Sequence, residues 1–157
     1  IMGQMKNMSV ALIDHVGADL IAAQRKTNGM RFAISVKGRN FPSSESKSFG
    51  FSQGNIDKLQ DTSETFGLIP AVAFVFVDDM EGSKKIRVFI SKLADLFTLC
   101  EDPMVDFINY STDGITFKYT ESNRVHHLSA IKNCQLIDYS ELVFSHLSND
   151  ISFLEES

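Results

Sequence analysis

The stretch RFAISVKGR, from Arg31 to Arg39, decides how this chain is interpreted. Alternation of side chains along a β-strand places its three large apolar residues on one face. The other face carries Ala33, Ser35 and Lys37. A lysine on a face of small side chains needs a reason: either the strand leaves the core there, or the lysine belongs to a polar site.

The residues before this stretch favour two more strands. VALID (10–14) and DLIAAQ (19–24) are short apolar runs joined by HVGA, and TNG (27–29) is a turn signal before RFAISVK. These signals together predict an antiparallel meander of three strands. His15 and Asp19 flank the first turn, where polar residues are common.

The residues after it change character abruptly. GRNFPSSESKSFGFSQG (38–54) is rich in serine and glycine and has no clear period, so we expect a mobile polar loop. NIDKLQDTSETFG then predicts a helix capped by Asn55 and ended by Gly67. The helical period gives it an inward-facing apolar stripe of Ile56, Leu59, Ser63 and Phe66.

Strand and helix signals continue as far as Cys100. LIPAVAFVFVDD (68–79) is continuous and rich in branched residues, as expected of a strand buried on both faces, with Asp78 and Asp79 in the turn that follows it. KKIRVFI (84–90) predicts another strand. SKLADLFTLC (91–100) carries Leu93, Leu96, Phe97 and Cys100 at helical spacing.

The C-terminal part of the sequence is less informative. GITFKYT (114–120) predicts a strand, and VHHLSAIKNCQLIDYSELVF (125–144) a partly helical segment. No linker or repeat divides the chain, so residues 1–157 are expected to form one domain with a core in 10–90 and a further region in 91–157. Strands that alternate with helices predict an α/β fold around a mixed sheet.

Composition excludes several classes of protein. A formal charge of −5 on 157 residues argues against coating nucleic acid by bulk attraction, although a local basic cleft remains compatible with it. No apolar run approaches the roughly 20 residues that span a bilayer. Two cysteines, Cys100 and Cys134, match no metal spacing or disulfide framework, so we expect free thiols and a cytoplasmic protein.

Four pieces of the sequence resemble one family when taken in order. GADLIA, FAISVKGR, and NIDKLQDTSETFG followed by LIPAVAFVFVD are similar to the core of the PD-(D/E)XK nuclease superfamily, above all archaeal-type Holliday junction resolvases and restriction-endonuclease-like proteins. The resemblance covers about residues 10–90. It implies a restriction-endonuclease-like mixed sheet flanked by helices, DNA as partner, branched DNA included, and a homodimer.

The resemblance also implies roles for three residues. Asp19 matches the metal-binding aspartate of the family, and Lys37 matches the lysine that orients the attacking water. Phosphodiester hydrolysis of this kind uses Mg²⁺, which prefers hard oxygen ligands. Ser35 stands where the family has its second acid, so the site departs from the pattern at this position. We expect Asp19, Ser35 and Lys37 to converge on one face of the sheet.

Other residues offer weaker signals. Asp57 or Glu64, on the predicted helix, could replace the missing acid, although an ordinary solvated helix face is the simpler reading. Arg39 and Lys47 could contact the phosphate backbone of DNA. The adjacent His126-His127 pair (126–127) lacks the spacing that puts two metal ligands on one helix face.

The sequence therefore supports two main hypotheses and a third. The first is Mg²⁺-dependent hydrolysis of DNA by an altered site, in which Asp19 is the metal ligand and Lys37 orients the attacking water. The second is a catalytically degenerate nuclease fold that binds nucleic acid or protein. The third is an unrelated small α/β domain whose match to the family is accidental.

Overall fold

The computed structural model describes residues 8–42, 47–80, 83–103, 105, 108–119 and 136–145. These form nine strands and two helices in the described part of the chain. Their bounds are β1 Met8–His15, β2 Ala18–Gln24, β3 Arg31–Pro42, β4 Lys47–Ser52, α1 Gln53–Phe66, β5 Ile69–Met80, β6 Ser83–Lys92, α2 Leu93–Glu101, β7 Ile108–Ser111, β8 Gly114–Tyr119 and β9 Leu136–Ser145.

The strands form one large sheet and one small sheet. The large sheet has the order β1-β2-β3-β5-β6-β9, and the small one β4-β8-β7. The predicted meander is confirmed, because β1, β2 and β3 pair antiparallel in sequence. β3 and β5 are parallel, joined through β4 and α1, while β5, β6 and β9 are antiparallel neighbours. The predicted α/β fold around a mixed sheet is therefore confirmed.

Both faces of the large sheet are apolar. On one face, α1, α2 and the small sheet bury a core that includes Phe51, Leu59 and Leu96 against the sheet. The other face carries a second buried cluster with Phe32 and Ile34 at its centre. Strand β5 contributes alternate residues to both clusters, as expected of a strand buried on its two faces.

The expectation of a loop over residues 38–54 is wrong. β3 continues to Pro42 in register with β5, and residues 47–52 form β4, paired with β8. The apolar signal of β4 rests on few residues in a serine-rich context, yet Phe51 is fully buried in the core. Burial of that one ring stabilises the segment by about 2–3 kcal/mol, enough to offset a composition that is typical of a loop.

The predicted first helix is correct in type and in its end but not in its start. α1 begins at Gln53 after Ser52, so Asn55 lies inside the helix and does not cap it. Gly67 ends the helix in the left-handed conformation, at φ 61°, as predicted. Its buried face includes Thr62, whereas Phe66, expected inside, is 52% exposed and packs its ring against His15.

One further expectation is corrected beyond residue 77. The residues Asp78 and Asp79 lie within β5, paired with β6, and not in a turn. Of the segment 125–144, predicted to be helical in part, residues 136–144 belong to the strand β9, whose backbone pairs with β6. The positions of Cys134 and of the histidine pair 126–127 lie outside the described residues. Neither of the two described helices is long and apolar enough to cross a bilayer.

Candidate functional site

The carboxylate of Asp19 is the centre of the predicted site, and it is bound to the neighbouring strand. Its Oδ2 accepts a 2.7 Å hydrogen bond from the backbone N–H of Val36 and a 3.3 Å bond from the hydroxyl of Ser35. Ser35 is only 4% exposed, whereas Asp19 is exposed. One carboxylate oxygen thus satisfies a buried hydroxyl and a backbone donor together.

The local sheet geometry explains this contact. The pairing of β2 with β3 runs as far as Leu20 opposite Ile34, and the next residue towards the β1–β2 turn is Asp19. Where the backbone ladder ends, the side chain of Asp19 takes the place of a main-chain acceptor. The turn itself is held against α1, where Thr62 donates a 2.6 Å hydrogen bond to the carbonyl of Val16.

Lys37 lies on the same sheet face as Ser35, two residues further along β3. Its ammonium lies 5.2 Å from the centre of the Phe51 ring, a cation–π distance. Burial decreases along this face: Ser35 is buried, Lys37 half-buried and Arg39 exposed. The guanidinium of Arg39 donates a 3.1 Å hydrogen bond to the carbonyl of Gly38. The face therefore passes from the core to a cationic end exposed to solvent.

The described side chains at this position offer Mg²⁺ a single carboxylate. Mg²⁺ in proteins is commonly held by more than one carboxylate or by a carboxylate with phosphate oxygens. Among the described residues, no three or more histidine, cysteine, aspartate or glutamate side chains form a group that could hold a metal ion. Asp19 supplies one carboxylate, and the hydroxyl of Ser35 directs its proton to that carboxylate.

The two acids of α1 that could replace the missing carboxylate, Asp57 and Glu64, differ in their contacts. Asp57 accepts a 2.7 Å hydrogen bond from the side-chain amide of Gln53, whose oxygen accepts a 2.9 Å bond from the hydroxyl of Tyr110. This network joins α1 to the small sheet. Glu64 is exposed on the same helix, and neither acid forms an ion pair with Lys37 within the described structure. Both acids are exposed, as expected of an ordinary solvated helix face, and the hydrogen bond of Asp57 is to Gln53 on its own helix.

The remaining predicted residues, Lys47 and His15, lie at the ends of strands. Lys47 begins β4, and its side chain lies outside the described part of the structure. His15 ends β1, where its ring packs edge-on against Phe66 with 5.4 Å between ring centres. Its Nδ1 lies within hydrogen-bond distance of Val16 and Thr62, so it holds the turn against α1.

A groove between α1, α2 and β7 was missed by sequence reasoning. It has a volume of about 440 Å³ and is lined by Gln53, Gln60, Phe97, Cys100, Glu101 and Tyr110. Phe97 and Tyr110 meet edge to face, with 4.9 Å between ring centres. The predicted apolar stripe of α2 already contained Phe97 and Cys100, but both are only half-buried. Nothing local in the sequence indicated that Tyr110 would meet them.

The thiol of Cys100 is held in its neutral form. Burial raises the pKa of Cys100 to about 11, and the neighbouring carboxylate of Glu101 adds to the rise. The thiolate is the reactive form of cysteine. Cys100 is therefore a weak nucleophile near neutral pH.

Comparison with known proteins finds similarity among solved structures only. No protein-family model matches the sequence, and no curated protein matches it either. A solved structure of the Holliday junction resolvase Hjc, from the archaeal hyperthermophile Archaeoglobus fulgidus, is similar to the chain at 14% identity and a TM-score of 0.43. The similarity covers 76% of this chain and 82% of that protein.

Proposed function

We propose that this chain is a nucleic-acid-binding domain of the restriction-endonuclease type that does not cleave its ligand. The observation that carries the proposal is the bonding of Asp19. Its carboxylate stabilises the end of the β2–β3 ladder through Val36 and Ser35, and among the described residues it belongs to no group of three or more potential metal ligands. The residue that resembles a metal ligand has a structural role instead.

The cationic end of β3 is the proposed contact with the phosphate backbone. Phosphate contacts commonly come from lysine and arginine side chains and position a protein without reading sequence. The Phe51 ring supports Lys37, and no carboxylate of the described structure pairs with this ammonium. Its charge therefore remains available to a phosphate, and Arg39 extends the same face towards solvent.

The net negative charge of the chain is consistent with nucleic acid binding at a local cationic site rather than over the whole surface. With a net charge of −5, most of the surface repels a polyanion, so binding depends on few cations. Each neutralised phosphate contributes a slope of about 0.9 to the dependence of log K on log salt. A site built on Lys37 and Arg39 should thus show a shallow salt dependence, with a slope of about 2.

Binding to duplex and four-way DNA tests the proposal. Lys37→Ala should weaken binding to both about fivefold and reduce the salt slope by about 1, because one phosphate contact is lost. Lys26→Ala is the matched control, since Lys26 is an exposed cation in the turn at the opposite end of β3. Equal effects of the two variants would show that the charge change, and not the position, matters. Sedimentation velocity of the protein bound to DNA measures whether the protein binds as the expected homodimer.

Mg²⁺-dependent hydrolysis is the second candidate. The observation in its favour is that Asp19 is exposed and uses only Oδ2 in its two hydrogen bonds to β3. Cleavage of duplex and four-way DNA should be assayed with Mg²⁺ and Mn²⁺ on the natural chain, on Asp19→Asn and on Lys37→Ala. Cleavage by the natural chain that is lost in both variants would favour hydrolysis. DNA binding without cleavage is the result we expect.

A further inference from the structure

We propose that the groove between α1, α2 and β7 binds a guanidinium group, presented by an arginine side chain of a partner peptide. Its lining residues combine one carboxylate, two carboxamides and two aromatic rings around the neutral thiol of Cys100. This site is independent of the proposed nucleic-acid contact, since it lies between the helices and the small sheet and shares no lining residue with Lys37 or Arg39.

The aromatic part of the groove suits a planar cation. Tyr110 is 48% exposed, although its ring is large and apolar. Its orientation is fixed at both ends, since the ring packs against Phe97 and the hydroxyl donates to Gln53. A fixed, exposed aromatic ring is a surface on which a guanidinium group stacks favourably.

The side chains that line the groove include one acid. Glu101 is the single acidic residue among the described lining residues, and none of these is a lysine or an arginine. It lies at the C-terminal end of α2, where the helix carbonyls add partial negative charge and the described last turn contains no basic residue. Asp57, which is bound to Gln53, adds a further negative charge nearby. An anion would be repelled, whereas a cation is attracted.

The hydrogen-bonding groups also match. A guanidinium has five N–H donors and no acceptor, so it needs oxygen acceptors arranged around its plane. Glu101 supplies two carboxylate oxygens and Gln60 a carboxamide oxygen, both on exposed side chains. The oxygen of Gln53 already accepts the hydroxyl of Tyr110. A volume of about 440 Å³ admits an arginine side chain together with part of its peptide backbone.

The test uses two peptides that differ in one group. An acetylated and amidated Gly-Ser-Arg-Ser-Gly peptide is titrated into the whole chain, followed by NMR shifts of the Tyr110 ring and the Gln60 side-chain amide. The same peptide with citrulline in place of arginine keeps the shape but replaces the guanidinium by a neutral urea. We expect the arginine peptide to bind at least about fivefold more tightly, the effect of about 1 kcal/mol for a partly exposed charge contact.

Variants of the chain locate the contact. Glu101→Gln should remove most of the preference for arginine over citrulline, while Asp61→Asn, the same charge change at an exposed α1 position outside the groove, should retain it. Tyr110→Leu should weaken the arginine peptide about threefold to fivefold through loss of the stacking surface. Circular dichroism establishes that each variant is folded.

Three outcomes would overturn the inference. Equal affinity for the arginine and citrulline peptides would mean that charge is not recognised. Loss of preference in Asp61→Asn to the same extent as in Glu101→Gln would mean that only net charge matters. Shifts of Tyr110 and Gln60 with an oligothymidine but not with the arginine peptide would make the groove a nucleobase site. None of these results depends on whether the Lys37 face binds DNA.

Discussion

The carboxylate of Asp19 accepts a hydrogen bond of 2.7 Å from the backbone N–H of Val36, on the adjacent strand. The same oxygen accepts the hydroxyl of Ser35, which is buried. A side chain that resembles a catalytic metal ligand therefore ends a β-ladder. Ser35, which departs from the nuclease pattern, is the partner that makes this arrangement possible, because a hydroxyl donates to a carboxylate and an ionised glutamate would not.

Asp19→Ala should destabilise the fold. The substitution leaves the hydroxyl of Ser35 and the N–H of Val36 without their acceptor, which costs about 1–2 kcal/mol, at the low end for buried groups because Asp19 itself is exposed. Asp19→Asn retains an acceptor oxygen and should cost less than half as much. Urea unfolding measures both. An unchanged or increased stability of Asp19→Ala would instead indicate an unsatisfied charge kept for function.

Gly17→Ala should destabilise the β1–β2 turn that carries Asp19. Gly17 has φ 95°, and a methyl group there would overlap the backbone carbonyl of Lys58 on α1. The conformational strain and the overlap together should cost about 3 kcal/mol. Gly67→Ala is the matched control, since Gly67 also has positive φ, at 61°, but open space around it. That control should cost about 1–2 kcal/mol. Similar losses for both would argue that the turn is not packed against the helix.

The local signals of the sequence predicted the elements that depend on local chemistry. The alternation along β3, the left-handed Gly67 after α1 and the apolar run of β5 each act within a few residues, and the structure agrees with all three. β4 was missed because its serines and glycines are typical of loops, and its partner β8 lies more than sixty residues later in the sequence. The strand β9 was not predicted within the partly helical segment 125–144 for the same reason, since its pairing with β6 is non-local.

The candidate site shows the same division between local and non-local information. An aspartate at the start of β2 is visible in the sequence, but the unpaired N–H of Val36 that it satisfies is a product of where the ladder ends. The groove depends on Tyr110 reaching Gln53, fifty-seven positions apart in the chain. No pattern within either segment predicts that contact.

Alkylation should show that Cys100 is unreactive near neutral pH. In a Cys134→Ser background, which leaves one thiol, iodoacetamide at pH 8 should react about 100-fold more slowly than with an ordinary thiol, because burial raises the pKa of Cys100 from 9.0 to about 11. Between these two pH values, the thiol of Cys100 stays protonated in the folded state and is deprotonated in the unfolded state. The free energy of unfolding should therefore fall as the pH rises from about 9 to about 11. An ordinary alkylation rate at pH 8 would contradict the buried environment.

Placing at position 35 the acid that the resemblance to the PD-(D/E)XK nucleases implies should make the stability of the fold depend on a metal ion. The hydroxyl of Ser35 is buried and lies 3.3 Å from Oδ2 of Asp19, so Ser35→Glu places a second carboxylate in a buried position beside the first. Without metal, the free energy of unfolding should therefore fall by about 2–4 kcal/mol. Ser35→Gln has the same size without the charge and should lose less. Mg²⁺ should then stabilise the Glu variant by about 1.4 kcal/mol at ten times its dissociation constant. The Gln variant and the natural chain should not respond, because each has a single carboxylate at this position. Thermal or urea unfolding with Mg²⁺, and with Ca²⁺ as a comparison ion, measures the difference.

Equal stabilisation of the natural chain would mean that it already holds the metal, which would contradict the proposed loss of cleavage. No response in the Glu variant would mean that the end of the β2–β3 ladder cannot hold a metal even with two acids, and would place the origin of the site outside the nuclease pattern.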